Sequence, residues 1–316
     1  MFIAGAAGAV GRTLIPTLVA GGHAVTGTTR SESKAETLRA LGATPVVMDG
    51  LDRDSVLRAV AAARPDAIVH QMTALAGDLD LRKPDKTFHV TNRLRTEGTE
   101  HLLAAAEAAG VRRFVAQSYA GWPYARTGGP IKTEADPLDP DPPAGIRETH
   151  AAIRRLESLV TGSDGVVLRY GGFYGPGTGL APDGDQLAMI RNRKFPIIGN
   201  GEGIWCFAHT EDVATATVAA LERARGGEIY NVCDDDPAPV REWLPQLARM
   251  LGAKAPRRVP AWLVRRLASP ATVVMMTEAR GASNAKAKAE LGWTPAWPTW
   301  REGFAALTSG RMPVPA

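Results

Sequence analysis

Met1-Phe2-Ile3-Ala4-Gly5-Ala6-Ala7-Gly8-Ala9-Val10-Gly11 opens the chain, and the architecture follows from it. A short apolar run ends in three glycines spaced three apart, after which Val10, Leu14 and Leu18 recur at helical spacing up to Gly21-Gly22. This pattern reads as strand, glycine turn, helix. Glycine has no Cβ, so the backbone of such a turn can take unusual dihedrals and approach a ligand and the neighbouring strand closely. The helix that follows aims its free N–H groups and the positive end of its dipole at the turn, where a diphosphate is the natural occupant. An isolated Gly-x-x-Gly-x-x-Gly is equally consistent with a plain strand-to-helix turn, so the rest of the chain has to separate the two.

Downstream, strand and helix alternate. Predicted strands cover His23 to Arg30, Thr44 to Met48 (ending on Asp49), Ala67 to His70, Arg113 to Ser118 and Val166 to Tyr170. Predicted helices cover Ser31 to Leu41, Asp52 to Ala63 with Asp52 as its cap, a long span within Asp85 to Ala109, and Glu148 to Thr161. Residues 120–147, rich in proline, glycine and aspartate, form a long loop. Such alternation calls for an α/β fold with a doubly wound parallel sheet covered on both faces. Residues 1–174 and 205–233 are expected to form the dinucleotide-binding domain, and 175–204 with 234–316 a smaller C-terminal substrate-binding region. There, Asp185 to Arg193, Asp212 to Arg223 and Val240 to Leu251 read as helices, Glu228 to Val232 as a strand returning to the sheet, and Gly199 to Gly203 as a hairpin turn. The apolar stretch from Val259 to Met276 either packs in a core or lies over a substrate pocket.

At 316 residues, 45% apolar and 22% charged, the chain is long enough for one large α/β domain and a smaller partner region. The net charge is +4, but 37 Lys and Arg are interleaved with 33 Asp and Glu, a pattern that argues against a nucleic-acid partner. No apolar run approaches the roughly 18 residues of a membrane span. The chain starts directly on the strand without a secretory signal pattern, and the strand is short enough for further residues to precede Met1. Cys206 and Cys233 lie far apart in sequence and outside any metal-ligand spacing, so no metal site is expected, and a reducing cytoplasm is the expected location.

Gly5-x-x-Gly8-x-x-Gly11, Asp49 after the third strand, His70 at the end of the fourth and Arg113 to Ser118 as the fifth run in order with Arg169-Tyr170-Gly171-Gly172-Phe173-Tyr174-Gly175-Pro176. Phe207 to Val213, Tyr230-Asn231-Val232 and Leu291-Gly292-Trp293 continue the series. Taken together the chain resembles the extended short-chain dehydrogenase/reductase family, the group of NAD(P)-dependent epimerases and dehydratases. The resemblance covers nearly the whole chain and implies a Rossmann-like sheet and a nicotinamide dinucleotide. Gly5, Gly8, Ala9, Val10 and Gly11 would hold the diphosphate and Asp49 the adenine, with Gly50, Met72, Thr73 and Tyr170 also at the cofactor. It further implies a small-molecule substrate and, as is common in this family, a homodimer built on two packed helices.

Charge at the end of the second strand bears on cofactor choice. A carboxylate there binds the ribose 2′-hydroxyl of NAD, whereas the 2′-phosphate of NADP wants arginine. Thr28-Thr29-Arg30-Ser31 offers arginine and no carboxylate before Glu32, which favours NADP, with NAD as the alternative.

The family usually works with Tyr-x-x-x-Lys on one helix face: the tyrosine moves a proton at the substrate oxygen and the lysine lowers its pKa. None of the five tyrosines, Tyr119, Tyr124, Tyr170, Tyr174 and Tyr230, has a lysine four residues later. Matching Glu157 to the acidic residue that often follows the pair puts Thr149 at the tyrosine position and Ile153 at the lysine position. Two replacements are open. Ser118-Tyr119 stands where the family ends its fifth strand in Ser-Ser, so Tyr119 and Ser118 could polarise the substrate oxygen from the opposite wall. With an ordinary pKa of about 10, Tyr119 would serve as a neutral donor rather than a base; alternatively it packs under the loop with Trp122 and Tyr124. His150, one turn from Arg154, is the second candidate proton carrier, set against an unspecialised histidine on a helix surface.

The leading expectation is an NADP(H)-dependent oxidoreductase acting on a carbonyl, alcohol or related small organic substrate. A redox-neutral dehydratase, epimerase or isomerase and a non-catalytic NADP-binding sensor or scaffold are the alternatives.

Overall fold

Short runs such as Phe2-Ile3-Ala4, Ala67-Ile68-Val69 and Val166-Val167-Leu168 are apolar on both sides of the strand and can be buried only between two layers of helices. In the computed structural model, which describes residues 1–75 and 84–309, they are central to one sheet. Its strands are β1 (Phe2–Ala4), β2 (Thr26–Thr29), β3 (Thr44–Val47), β4 (Ala67–His70), β5 (Arg113–Tyr119), β6 (Val166–Tyr170) and β7 (Ile229–Val232). They are parallel throughout, in the order β7-β6-β5-β4-β1-β2-β3. The order reverses between β1 and β4, the switch point at which such sheets open a crevice beyond the strands' carboxyl ends.

The helices in chain order are α1 (Ala9–Ala20), α2 (Ala35–Ala40), α3 (Arg53–Ala63), α4 (Pro84–Arg93), α5 (Thr99–Ala108), α6 (Arg147–Gly162), α7 (Asp185–Arg191), α8 (Thr210–Arg223), α9 (Val240–Met250), α10 (Ala261–Leu267), α11 (Pro270–Thr277), α12 (Ala285–Leu291) and α13 (Trp300–Thr308). On one face of the sheet α1 and α8 bury Leu14, Ile15, Val213 and Ala216 against Ile3, Val69, Val115 and Leu168. On the other face α3, α5 and α6 bury Val56, Leu102 and Leu156 against Phe2, Ile68, Phe114 and Val167. A third core, built around Tyr174, Phe207, Trp243, Trp300 and Phe304, belongs to the C-terminal region. Asp52 caps α3 as expected, its carboxylate accepting from the N–H groups of Asp54 and Ser55.

Several expectations are corrected. The long helix after β4 is not uniform: α4 and α5 are joined by a π-helical turn, Leu94–Gly98. Gly199 to Gly203 is a turn but not a hairpin, because Ile197–Ile198 pairs with Arg258–Val259 while Ile204–Trp205 pairs with Ala238–Pro239. Phe207–His209 pairs with Gly172–Tyr174 in a small separate sheet. The 120–147 loop is held by Tyr124, Lys132 and Arg126, the last of which pairs with Asp139 and Glu278. The apolar stretch becomes α10 and α11; Val273 and Met276 enter the C-terminal core, whereas Trp262 and Leu267 are each 67% exposed. Cys206 and Cys233, distant in sequence, meet as free thiols in one buried cluster. Among the described residues no helix is long and apolar enough to cross a membrane.

Candidate functional site

The three glycines have three different reasons to be glycine. Gly5 has φ +88°, and a Cβ there would lie 2.6 Å from the Gln71 carbonyl oxygen, so the turn is pressed against the end of β4. A Cβ on Gly11 would lie 2.2 Å from the Ala6 carbonyl oxygen, which sets how closely α1 packs on the turn. A Cβ on Gly8 would meet nothing nearer than Gly5 O at 3.4 Å, so Gly8 alone faces open space. Gly8 caps α1 without a side-chain bond, no acidic residue occupies the first turn, and the N–H groups of Ala9, Val10 and Gly11 have no acceptor among the described residues. Gly177 lies over this turn, with its Cβ direction 3.5 Å from the Ala9 methyl. An uncapped helix start beside an open glycine fits a dinucleotide diphosphate.

Arg30, just past β2, is exposed and has no hydrogen bond or ion pair among the described residues. Asp49 is exposed and accepts the Leu51 N–H at 2.9 Å. Gly50 is buried beneath it, and its carbonyl receives the His101 ring at 3.1 Å. Met72 does not line this edge with its side chain: the thioether is packed under Gly50 and Gly98, supporting the turn from below. Thr73 is half-buried directly after it. Tyr170 is also displaced from its expected role. It is 1% exposed, and its hydroxyl is held by Thr217 at 2.8 Å and Gln71 at 3.3 Å within the α1/α8 layer.

At the end of β5 the two candidate hydroxyls separate. Ser118 donates to Glu157 Oε1 at 2.7 Å, so its proton is committed to the interior. Arg169 grips the same carboxylate through Nε and Nη2 at 2.8 and 2.6 Å, donates to the Tyr124 hydroxyl, and Tyr124 donates to Asn231. Ser118 is therefore a member of a buried ionic network rather than a substrate donor. Tyr119 is half-buried, its hydroxyl has no partner among the described residues, and it lies 3.7 Å from where a Cβ on Gly172 would be. Its ring leans on Trp122 at 5.7 Å, and burial pushes the phenol pKa upward, which keeps it protonated and able to donate.

His150 is a correction as well. It is 2% exposed and its Nε2 donates to the Pro123 carbonyl at 2.9 Å, pinning the loop; burial lowers its pKa. Arg154 is turned away to the Leu138 and Asp139 carbonyls. Thr149, at the position the resemblance gives to tyrosine, is buried, donates to Asp85 at 2.9 Å and accepts from Asn92 at 3.1 Å, while Ile153 is fully packed.

Two residues of the site had no expectation attached to their chemistry. His70 Nδ1 accepts the Met72 N–H at 3.2 Å, so Nε2 carries the proton towards Thr99 at 3.1 Å; burial lowers the pKa to about 4. Arg95, in the π-helical turn, is 9% exposed beside Asn92. Its signal in the sequence was a cation among Thr91, Leu94, Gly98 and Leu102, the inward stripe of a helix.

Residues 1–233 match the NAD dependent epimerase/dehydratase family, and the chain belongs to that family. It is 46% identical over 307 residues to a 3-diazoavenalumate denitrifying reductase from a Streptomyces species, covering 96% of this chain and 98% of the relative. It is 31% identical over 262 residues to a 4-hydroxy-2-methyl-3-oxo-4-farnesyl-3,4-dihydroquinoline-1-oxide ketoreductase of Stigmatella aurantiaca, covering 80% and 74%. Among solved structures, UDP-glucose 4-epimerase from Thermotoga maritima with UDP-glucose superposes with a TM-score of 0.77 at 22% identity, covering 98% of this chain and 97% of the other. The NAD complex of the Thermus thermophilus UDP-glucose 4-epimerase gives 0.75 at 24%, covering 98% and 97%. The protein is an enzyme of the NAD(P)-dependent oxidoreductase and epimerase kind, with a nicotinamide dinucleotide as cofactor and a small molecule as substrate.

Proposed function

We propose that the protein is an NADP(H)-dependent oxidoreductase acting on a small organic substrate in the crevice beyond β1, β4 and β5. The observation that carries this reading is the Tyr119 hydroxyl at the end of β5, which faces Gly172 and has no hydrogen-bond partner among the described residues. The cofactor, when bound, supplies or accepts hydride. The chain's own residues do the rest. Gly8 and the first turn of α1 hold the diphosphate, Asp49 meets the adenine, and the exposed guanidinium of Arg30 pairs with a 2′-phosphate. Tyr119, kept neutral by burial, donates a hydrogen bond to the substrate atom on which negative charge develops, as an oxyanion donor does. Two relatives whose names describe reductions, of a diazo compound and of a ketone, favour net redox over epimerisation.

The test is turnover with NADPH deuterated at nicotinamide C4 and a panel of aryl ketones and diazo arenes. Loss of nicotinamide absorbance with deuterium in the product is expected. Substrate consumption with no net absorbance change and no deuterium in the product would assign the redox-neutral alternative, and tight NADPH binding with no turnover the sensor.

A further inference from the structure

Acidic and basic residues are interleaved over the chain as a whole, but folding gathers one cationic face in the C-terminal region. Between Asp185 and Glu202 the sequence has three Lys or Arg and no carboxylate, and between Gly252 and Glu278 it has five and none. The two stretches run side by side. Ile197–Ile198 pairs in parallel with Arg258–Val259, the Ile197 N–H donates to the Arg257 carbonyl at 2.8 Å, and Arg193 Nε donates to the Ala255 carbonyl at 2.9 Å. The carboxylates that flank them are engaged elsewhere: Glu202 pairs with Arg241 at 3.3 Å, Glu278 pairs with Arg126 at 3.0 Å, and Asp185 accepts the Gln186 N–H. None of the eight cations forms an ion pair among the described residues, and Arg257, Arg258, Arg265 and Arg266 are exposed.

Helix α10 carries two of these arginines and buries none of its residues. Ala261 and Val264 rest on the C-terminal core, and at about 100° per residue the opposite arc carries Trp262, Arg266 and Leu267. Trp262 and Leu267, each 67% exposed, are the most exposed large apolar side chains among the described residues. An indole and a leucine held in water among arginines suit a surface that offers anions and an apolar layer at adjacent depths, which is the headgroup boundary of a bilayer. We propose that this face docks on an anionic lipid bilayer, with Trp262 and Leu267 entering the headgroup boundary and the arginines on the lipid phosphates. α10 would lie on the bilayer, since its seven residues are far too few to cross one. A second copy of the chain is a poor occupant, because a two-fold contact through this face sets arginine against arginine.

The experiment is flotation of the full chain with vesicles of phosphatidylcholine alone and of equimolar phosphatidylcholine and phosphatidylglycerol. Binding to the mixed vesicles is expected to be at least about 10-fold tighter, because attractions from several cations add at an anionic surface, and to weaken in high salt. Tryptophan emission should shift to the blue on binding, and Trp262→Phe should lose that shift while still binding. The double variants Arg265→Gln with Arg266→Gln and Trp262→Ser with Leu267→Ser should each bind about 10-fold more weakly or worse, at unchanged melting temperature. Equal binding to the two vesicles, no binding to either, or full binding by either double variant overturns the proposal. Two further results would overturn it by assigning the face elsewhere. Duplex DNA or polyglutamate held as tightly as the mixed vesicles would assign it to an acidic macromolecule, and a sedimentation mass that halves in Trp262→Ser to a second copy.

Discussion

Ser118 donates its hydroxyl proton to Glu157 at 2.7 Å, and this one bond divides the two adjacent hydroxyls at the end of β5 into an interior one and one, Tyr119, that is free among the described residues. Tyr119→Phe removes only the free one. It is expected to lower kcat by about 100- to 1000-fold, the usual effect of losing one donor to a developing negative charge, while the Kd for NADPH holds. Ser118→Ala is expected to change kcat little at equal folded fraction. Steady-state kinetics beside a cofactor titration read both; unchanged turnover in Tyr119→Phe removes the phenol from the mechanism.

Glu157 also answers for Arg169, and the side chains of the two are only 7% and 5% exposed. Glu157→Gln leaves a buried guanidinium without its counter-charge, a change that typically costs about 3–5 kcal/mol. Urea unfolding followed by tryptophan fluorescence should show a lower midpoint with little change in slope. A loss below roughly 1 kcal/mol would mean that water reaches the pair.

Arg30 is expected to act on cofactor choice alone, because it has no partner among the described residues to lose. Arg30→Ser should weaken NADPH binding by about 10-fold or more and leave NADH binding nearly unchanged. Equal weakening of both would place Arg30 away from the 2′ position.

Features governed by local periodicity were legible in the sequence. The glycine turn, the alternation of strands and helices, the Asp52 cap and the buried β6 all follow from spacing within a dozen residues. What failed depended on partners distant in sequence. Ser118 was occupied by Glu157 on α6, His150 by the carbonyl of Pro123, and Tyr170 by Thr217 on α8. Strand parity could have warned about Tyr170, because Leu168 and Tyr170 share the α1/α8 face. Arg95 escaped notice because a π-helical turn shifts the register that helical periodicity assumes.

Buried His70 and His209 act against stability on the acid side. Burial holds both His70 and His209 down to about 4, whereas in an unfolded chain they would protonate near pH 6.5. The unfolded state therefore binds more protons throughout that window, so the contribution is complete above about pH 6.5 and is lost as pH falls towards 4. For His70 alone the loss amounts to roughly 3 kcal/mol. Buried Asp212 and Asp234, raised by burial to about 6 and about 7, take up protons in the same window with the opposite sign, so the test is the difference between proteins: from about pH 7 to about pH 5 the melting temperature of His70→Gln should fall less, or rise more, than that of the parent. An equal change in the variant would remove His70 from the pH dependence.

The glycine turn offers the sharpest separation of fold from function, because its second and third glycines face opposite demands. A Cβ on Gly11 would meet the Ala6 carbonyl oxygen at 2.2 Å, so Gly11→Ala must push α1 off the turn. It should lower the melting temperature and, through the displaced helix start, cofactor affinity as well. A Cβ on Gly8 has 3.4 Å of clearance from the protein itself, and its extended backbone, φ −78° and ψ 174°, suits any residue. Gly8→Ala should therefore melt within a few degrees of the parent while binding NADPH at least about 10-fold more weakly, because the methyl takes the space the diphosphate needs. Thermal melts and cofactor titrations on the two variants decide the matter: full NADPH affinity in Gly8→Ala would show that the open side of the turn is not where the diphosphate lies.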